Sequence, residues 1–297
     1  MTAPDTPPVC DYEGSGYRQD FWEKQGRDYE DRVERIALRR LLPTGGQRAL
    51  EIGAGFGRLT AELAAYEQVV LLDYSRSLLA EARARLGDGR YSYVAADVYR
   101  MPFRPGTFDG ATMIRVIHHI ADVPLALRGI RRVLAPGAIF ILEYANKRNL
   151  KAMLRYTLRR QAWNPYSLEP TEFVPLNFDF HPAYMLEAVQ AAGFRVEQRL
   201  AVSLFRLGML KRLVPVGALA GLDGALQGIA PLISPSVFTR NLAAGEGPDV
   251  TGEPLSFVCP LCGGDLTPEG EALHCAAAGC GRRWLRRDGI WDFKEPG

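Results

Sequence analysis

Four of the chain's five cysteines, Cys259, Cys262, Cys275 and Cys280, crowd into the last 39 of its 297 residues. Cys259 and Cys262 form a Cys-x-x-Cys step, and after a twelve-residue gap Cys275 and Cys280 form a Cys-x4-Cys step. Two thiolate pairs on tight turns can reach the tetrahedral corners that zinc prefers, and four thiolates leave no open position, so such a zinc is structural. Metal binding worth ~10 kcal/mol or more can fold a module too small for a core of its own. His274 in place of Cys275 is the alternative fourth ligand. Clustered thiols of this kind suit a metal site in a reducing compartment better than a disulfide framework. Cys10 stands apart and reads as a bystander.

A second concentration of chemistry lies in "EIGAGFG", residues 51–57, where Gly53, Gly55 and Gly57 alternate behind an apolar run. Glycine permits positive φ in a strand-to-helix turn and lets main-chain N–H groups touch a ligand at the start of the following helix. Asp73 ends the next apolar run, 20 residues after Gly53, where a carboxylate can accept hydrogen bonds from both hydroxyls of a ribose. Asp97 follows a third run in "AADVYRMPF", placed to meet an adenine amine beside Met101, Pro102 and Phe103; its bland alternative is a helix cap. Glu51 immediately precedes the loop. Together these residues describe a nucleoside-bearing ligand at successive strand ends. Dinucleotide sites favour G-x-G-x-x-G/A, whereas here Gly57 comes one residue early and Arg58 holds the expected Gly/Ala place, which counts against NAD.

The pattern around these residues is one of alternating strands and helices. Residues 21–43 have apolar positions at helical spacing and end at Pro43, giving a leading helix or helix pair. Then come the strand "RALEI", the helix "RLTAELAAY", the strand "QVVLLD", and the helix "SRSLLAEARARLG" with Ser75 as N-cap and Gly87 as stop. The strands "YSYVAA", "FDGATMI" and "AIFILEYA" follow, with the helix "PLALRGIRRVL" before the last. Continuous apolar strands between amphipathic helices mean an α/β fold with a parallel sheet covered on both faces. Further on lie a basic helix "KRNLKAMLRYTLRRQAW", an aromatic stretch, the helix "HPAYMLEAVQAAG", and the strands "FRVEQRLAVSLF" and "SVFTRNL". The expected organisation is a loose leader over 1–20, a cofactor-binding domain over 21–243 with an apolar helical insertion at 206–234, a linker at 244–256, and a cysteine module at 257–297.

These segments resemble the class I S-adenosylmethionine-dependent methyltransferases. "LEIGAGFGRLT" is similar to that family's first motif, "VVLLDYS" to its ribose-binding strand end, "VAADVYRMPF" to its adenine-binding turn, and "FDGATMIRVIHHI" and "VLAPGAIFILE" to its fourth and fifth strands. The resemblance runs from Phe21 to about Phe205 and looks nearest to small-molecule enzymes of the ubiquinone/menaquinone-biosynthesis type. It implies a Rossmann-like seven-stranded sheet whose last strand is antiparallel. It also implies S-adenosylmethionine contacts at Glu51, Gly53, Gly55, Gly57, Asp73, Tyr74, Asp97 and Val98, with Arg115 near the methionine end. The cysteine module resembles a zinc-ribbon family that serves as activator subunit for methyltransferases acting on tRNA and translation factors, sharing "CPLCGGDL", "LHC" and "DGIWDF". That family usually has C-x-x-C for its second pair, so the longer turn here departs from its pattern.

Methyl transfer is an in-line displacement in which positioning can supply up to ~7 to 11 kcal/mol, and a base is needed only where the acceptor must lose a proton. His118 and His119, in the loop after the fourth strand, are the candidate bases; His181, ahead of Pro182, is a helix-capping residue. The aromatics Trp163, Tyr166, Phe173, Phe178 and Phe180 either wall an acceptor pocket or belong to the core. The insertion at 206–234 is a helix pair packed on the sheet edge, with a substrate lid or a membrane contact as alternatives. Basic clusters at Lys147, Arg148, Lys151, Arg155, Arg159 and Arg160, and at Arg282, Arg283, Arg286 and Arg287, offer phosphate contacts, but a net charge of +2 argues for solvated faces rather than a nucleic-acid groove. No signal peptide and no transmembrane run is legible, giving a cytoplasmic expectation. The leading expectation is a methyltransferase with a small, lipophilic acceptor. RNA or protein methylation docked through the ribbon, a non-catalytic cofactor-binding scaffold, and an NAD-dependent oxidoreductase are the competing readings.

Overall fold

In a computed structural model, residues 6–16, 26–206, 208–230 and 232–296 are described. Parts of the expected leader and the first residues of the expected leading helix, 21–25, lie outside them. The helix itself is clear from Asp28–Leu41 (α1), which buries Tyr29, Val33, Ala37, Leu38 and Leu41 along one stripe. Its acidic first turn and basic last turn complement the helix dipole.

The sheet begins with β1 (Gly46–Ile52), β2 (Tyr66–Asp73), β3 (Tyr91–Ala95), β4 (Phe108–Met113) and β5 (Leu134–Ala145), and is completed on one side by β8 (Phe194–Val202) and β9 (Ser236–Ala243). Spatially these run β3-β2-β1-β4-β5-β9-β8, with β9 antiparallel to both β5 and β8. Alternate residues of one strand serve opposite faces. Leu50 and Ile52 of β1 join the layer built with α3 (Val123–Val133) and α5 (Pro182–Ala191), whereas Ala49 joins the layer that includes α2 (Arg76–Leu86). Helices therefore cover both faces, as expected.

The sheet has eleven strands rather than seven. The C-terminal segment forms β10 (Leu266–Glu269), β11 (Ala272–Cys275), β12 (Arg283–Arg287) and β13 (Ile290–Asp292), and β13 pairs in parallel with β3. An open edge strand exposes a row of unpaired N–H and C=O groups. Here Ile290 to Asp292 cover Tyr93 to Ala95, and the Phe293 N–H donates to the Ala95 carbonyl at 2.8 Å. Phe257 packs on Phe103 with ring centroids 5.8 Å apart and on Phe293 at 5.1 Å, cementing the docked module.

The helix expected after β1 is a single 3-10 turn, Thr60–Leu63. Positive φ persists to Gly57 and β2 already starts at Tyr66, leaving no room for an α-helix. The carbonyls at its end are met by Arg90, whose Nη2 donates to the Leu63 carbonyl at 3.0 Å and Nη1 to that of Ala64 at 2.9 Å. The glycine loop consequently has no following helix dipole to lend a ligand. Ser75 and Gly87 bracket α2 as expected, the Ser75 hydroxyl accepting from the Leu78 N–H. The basic helix is shorter than its pattern, α4 (Leu150–Thr157), and is succeeded by Arg159 at a φ of 55°.

The insertion folds as α6 (Gly208–Leu213) and α7 (Val216–Leu226), with α7 packed on α1. Asp223 of α7, shut off from solvent, accepts from the Tyr29 hydroxyl at 2.6 Å, the Leu204 N–H at 2.7 Å and the Gln227 amide at 3.1 Å. The helix pair is thus part of the body of the protein. A short hairpin, β6 (Thr171–Val174) with β7 (Asn177–Asp179), stands apart from the main sheet. No helix among the described residues is long and apolar enough to cross a membrane.

Candidate active site

The carboxyl ends of β1, β2 and β4 open on two adjoining clefts, of about 690 Å³ and about 420 Å³. Gly53, Gly55, Asp73, Tyr74, Val98, Arg115 and His119 all line the larger. Glu51 and Arg58 line the smaller, which shares Gly53, Gly55 and Arg115. Gly57, Asp97 and His118 line neither. The three glycines have φ of 67°, 53° and 72°. They differ in what a side chain would meet. A Cβ on Gly53 would sit 2.1 Å from Val116 Cγ2, while one on Gly55 would meet nothing within 4 Å. Gly53 is required by the protein's own packing; Gly55 leaves its face bare toward the cleft.

Asp73 closes the loop back on itself. Its Oδ2 accepts from the Gly55 N–H at 2.7 Å and its Oδ1 from the Ser75 N–H at 2.8 Å. Burial nonetheless pushes this carboxyl up to about 6, against the main-chain donors at Ser75, Gly55 and Tyr74. Glu51 is pushed up to about 7 by burial, partly offset by the Thr60 hydroxyl, which donates to its Oε2 at 2.6 Å. Asp97 accepts from the Tyr99 N–H at 2.9 Å and N-caps the 3-10 turn Val98–Arg100, so the capping role applies to it. Burial raises its pKa as well.

Arg115 stands at the junction of the two clefts in a left-handed conformation, φ 60°. Its N–H donates to Glu143 Oε2 at 2.8 Å and its Nε to Glu34 Oε1 at 2.7 Å. Glu34, on α1 and only 1% exposed, also receives Arg58 Nη2 at 2.7 Å. Burial alone would raise the Glu34 carboxyl; the two guanidiniums outweigh it and hold it below the ordinary carboxylate range. Sequence reasoning missed this network because the helical spacing of residues 21–43 marks apolar positions only and gives no signal for a buried Glu34.

The histidines separate. His118 is half-buried, its Nδ1 is shut off from solvent with no hydrogen-bond partner among the described residues, and burial together with His119 and Arg115 drives its pKa well below the usual imidazole value. His119 is also lowered by burial, against the Leu176 carbonyl. A carbonyl can only accept, so His119 Nδ1 donates to Leu176 at 2.9 Å, leaving Nε2 as an acceptor; the Tyr12 hydroxyl lies 3.2 Å from it. His181 caps α5 as expected, its Nδ1 accepting from the Ala183 N–H at 3.1 Å. Asp179, next to the hairpin's docking point, is pushed up to about 6 by burial and by the Glu143 charge.

The leader supplies residues the sequence did not assign to the site. Val9, Cys10 and Tyr12 form one wall of the larger cleft, so Cys10 is not remote from the chemistry. Glu13 receives the Arg76 N–H at 2.7 Å and lies 3.9 Å from Lys294 Nζ, beyond β13. Lys294 also lies 4.9 Å from the centre of the Tyr74 ring, so the C-terminal module backs the cleft wall. The aromatic stretch does not line either cleft: Phe180 is core, stacked between Phe178 and Tyr184, while Trp163 packs edge-on to exposed Phe173.

In the C-terminal module the four sulfur atoms of Cys259, Cys262, Cys275 and Cys280 all lie within 4.8 Å of one another. Cys259 and Cys280 are 3.8 Å apart and Cys262 and Cys275 3.4 Å. A tetrahedral zinc with Zn–S bonds of about 2.3 Å needs S···S separations of about 3.8 Å, so the donor set fits that ion. His274 is not a member of the cluster.

Residues 50–142 match the family model described as "Methyltransferase domain". The chain is 34% identical over 131 residues to the ubiquinone/menaquinone biosynthesis C-methyltransferase UbiE of Teredinibacter turnerae, covering 41% of this chain and 50% of that protein. It is 36% identical over 119 residues to the demethylmenaquinone methyltransferase of Clavibacter sepedonicus, covering 39% and 49%. The chain thus spans about half the length of the curated relatives it matches. Among solved structures, a chain of the complex containing the Haloferax volcanii Trm112 methyltransferase activator superposes with a TM-score of 0.56 at 18% identity, covering 77% of this chain and 96% of that one. An S-adenosylmethionine-dependent methyltransferase from Mesorhizobium loti superposes at 0.50 and 20%, covering 71% and 97%. The fold is that of the class I S-adenosylmethionine-dependent methyltransferases.

Proposed function

We propose that this chain is an S-adenosylmethionine-dependent methyltransferase acting on a small, lipophilic acceptor in a reducing, cytoplasmic setting. The observation that carries the reading is the Gly55 N–H to Asp73 bond, which sets a bare glycine crest beside a buried carboxylate at the strand end where a ribose would lie. Asp73 accepts from the ribose hydroxyls, Tyr74 and Val98 flank the adenine with Asp97 behind, and Gly53 and Gly57 shape the loop. Glu51 and Arg115 face the methionine end, where a carboxylate and a guanidinium can meet an ammonium and a carboxylate. The bound cofactor supplies an electrophilic methyl on a sulfonium.

His119 is the group placed to take an acceptor proton, since its Nε2 is left as an acceptor on the cleft wall and its imidazole is neutral at pH 7. His118, its ring centre 4.1 Å from that of His119, positions the loop. The likeness to enzymes named for quinone C-methylation supports a small-molecule acceptor. Cys259, Cys262, Cys275 and Cys280 hold a structural zinc, and the module they fold acts as a built-in activator, backing Tyr74 through Lys294.

Calorimetry with S-adenosylhomocysteine tests the core of this. Binding to the wild type and at least tenfold weaker binding to Asp73→Asn are expected, and an unresponsive wild type sinks the reading. Labelled methyl from the cofactor should then enter an organic-extractable pool; label in RNA or protein would replace the acceptor class.

A further inference from the structure

Seven of the ten exposed large hydrophobic residues among those described fall within 25 residues of sequence, 150–174. Leu150, Leu154 and Leu158 are 51%, 54% and 61% exposed. Their i, i+4, i+8 spacing aligns them in one stripe along α4 and the residue that ends it. Only Ala152 of that helix is buried. The chain then brings up more apolar surface: exposed Tyr166 packs edge-on to Tyr156 of α4 at 6.2 Å, and exposed Phe173 packs against Trp163 at 5.3 Å. Leu168 and Val174 are exposed as well.

Charge runs beside this stripe. Residues 147–168 contain six Lys or Arg and no acid. Lys147 is buried and spends its ammonium on the Glu169 carbonyl at 2.6 Å. Arg148, Lys151, Arg155, Arg159 and Arg160 are exposed, and none is in an ion pair with a described residue. Several basic groups elsewhere are engaged by the protein. Arg58 and Arg115 share Glu34, and in the tail Arg282 donates to Cys280, Arg283 lies 3.4 Å from Glu269, and Arg286 sits over Trp291. At 100° per residue Lys151 and Arg155 fall on one side of the leucine stripe, so a single plane can receive both.

We propose that α4 and the loop after it form a docking surface for an anionic phospholipid bilayer, the leucines entering the headgroup boundary while the basic side chains meet lipid phosphates. RNA would use the charges but leave the leucines in water, and an apolar protein groove would use the leucines but not the charges; a bilayer interface uses both. α4 begins just after β5, whose carboxyl end lies on the same sheet edge as the cleft because β5 is parallel to β4. A bilayer held there brings a membrane-dissolved acceptor to that edge. The surface itself does not depend on the methyl-transfer reading, and its test measures no catalysis.

The test is co-sedimentation of the full chain with phosphatidylcholine vesicles, with and without phosphatidylglycerol. The wild type should pellet with the anionic vesicles and be released by high salt. The variant Leu150→Ser/Leu154→Ser/Leu158→Ser should lose on the order of 100-fold in partitioning, given the apolar area removed. Arg155→Gln/Arg159→Gln should lose about 25-fold, about fivefold per charge. Far-UV circular dichroism should be unchanged in both, since all five side chains face solvent. A wild type that ignores anionic vesicles overturns the proposal, as does a serine variant that pellets like wild type. Binding of polyuridylate without vesicle binding overturns it in favour of RNA.

Discussion

Glu51 and Asp73 carry the site's acid–base signature. Burial raises the first to about 7 and the second to about 6, above their ordinary values of 4.5 and 3.8. The ligand-free folded state therefore holds protons that the unfolded chain has released, so these groups contribute stability that is full below pH 4 and lost as pH rises through 7. Glu51→Gln should erase Glu51's part. Guanidinium denaturation of the ligand-free protein should show the variant gaining on wild type by up to about 3 kcal/mol between pH 5 and pH 8. A difference that stays constant over that range would contradict the assignment. Cofactor binding should run with the opposite sign, because a cationic ligand favours the ionised carboxyls: wild-type affinity for S-adenosylmethionine rises from pH 5 to pH 8, read by calorimetry. The identities of these acids were legible in the sequence because Asp73 ends an apolar run and Glu51 immediately precedes the glycine loop. Their protonation was not, since it depends on how much protein is folded over them. Gly53 makes the same point, for its spacing suggested a ligand whereas its nearest neighbour is Val116.

α1 shows what periodicity reveals and what it conceals. Its apolar stripe marked it as a helix, yet the stripe gave no sign of what Glu34 would meet. In the fold Glu34 is enclosed and clamped by Arg58 and Arg115, joining α1 to the glycine loop and to the turn after β4. Breaking a buried pair by removing one partner typically costs about 3–5 kcal/mol. Glu34→Gln, which leaves two guanidiniums facing a neutral amide, should lower unfolding free energy by about that amount in urea titration, and a loss below about 1 kcal/mol would mean the network is solvated. The helix expected after β1 failed at the same scale, since a favourable residue pattern could not supply the length that Gly57 and Tyr66 leave unfilled. α4 succeeded as a helix but not in extent, its pattern running on past the point where Arg159 turns left-handed.

At the scale of the molecule, the cysteine module is continuous with the main sheet. Lys294, just past β13, is set against Tyr74 on the cleft wall and lies 3.9 Å from Glu13, so loss of metal should be felt at the cofactor. Treatment with a chelator should lower the thermal midpoint and weaken S-adenosylhomocysteine binding several-fold. Lys294→Ala, with all four thiols intact, should weaken binding about two- to fivefold, the worth of one cation–π contact, without changing zinc content. Chelation that leaves both midpoint and affinity untouched would show that the module holds no structural metal. From sequence alone came the order of strands and helices, the glycine crest with its acids, and the pairing of thiols, because each follows from local spacing of residue types. Only the folded chain decided that β13 would seal the edge of β3, that the leader would wall the cleft, and that Glu34 would be buried. Those outcomes arise from contacts between residues far apart along the chain, where spacing carries no information and only complementarity of surfaces selects the partner.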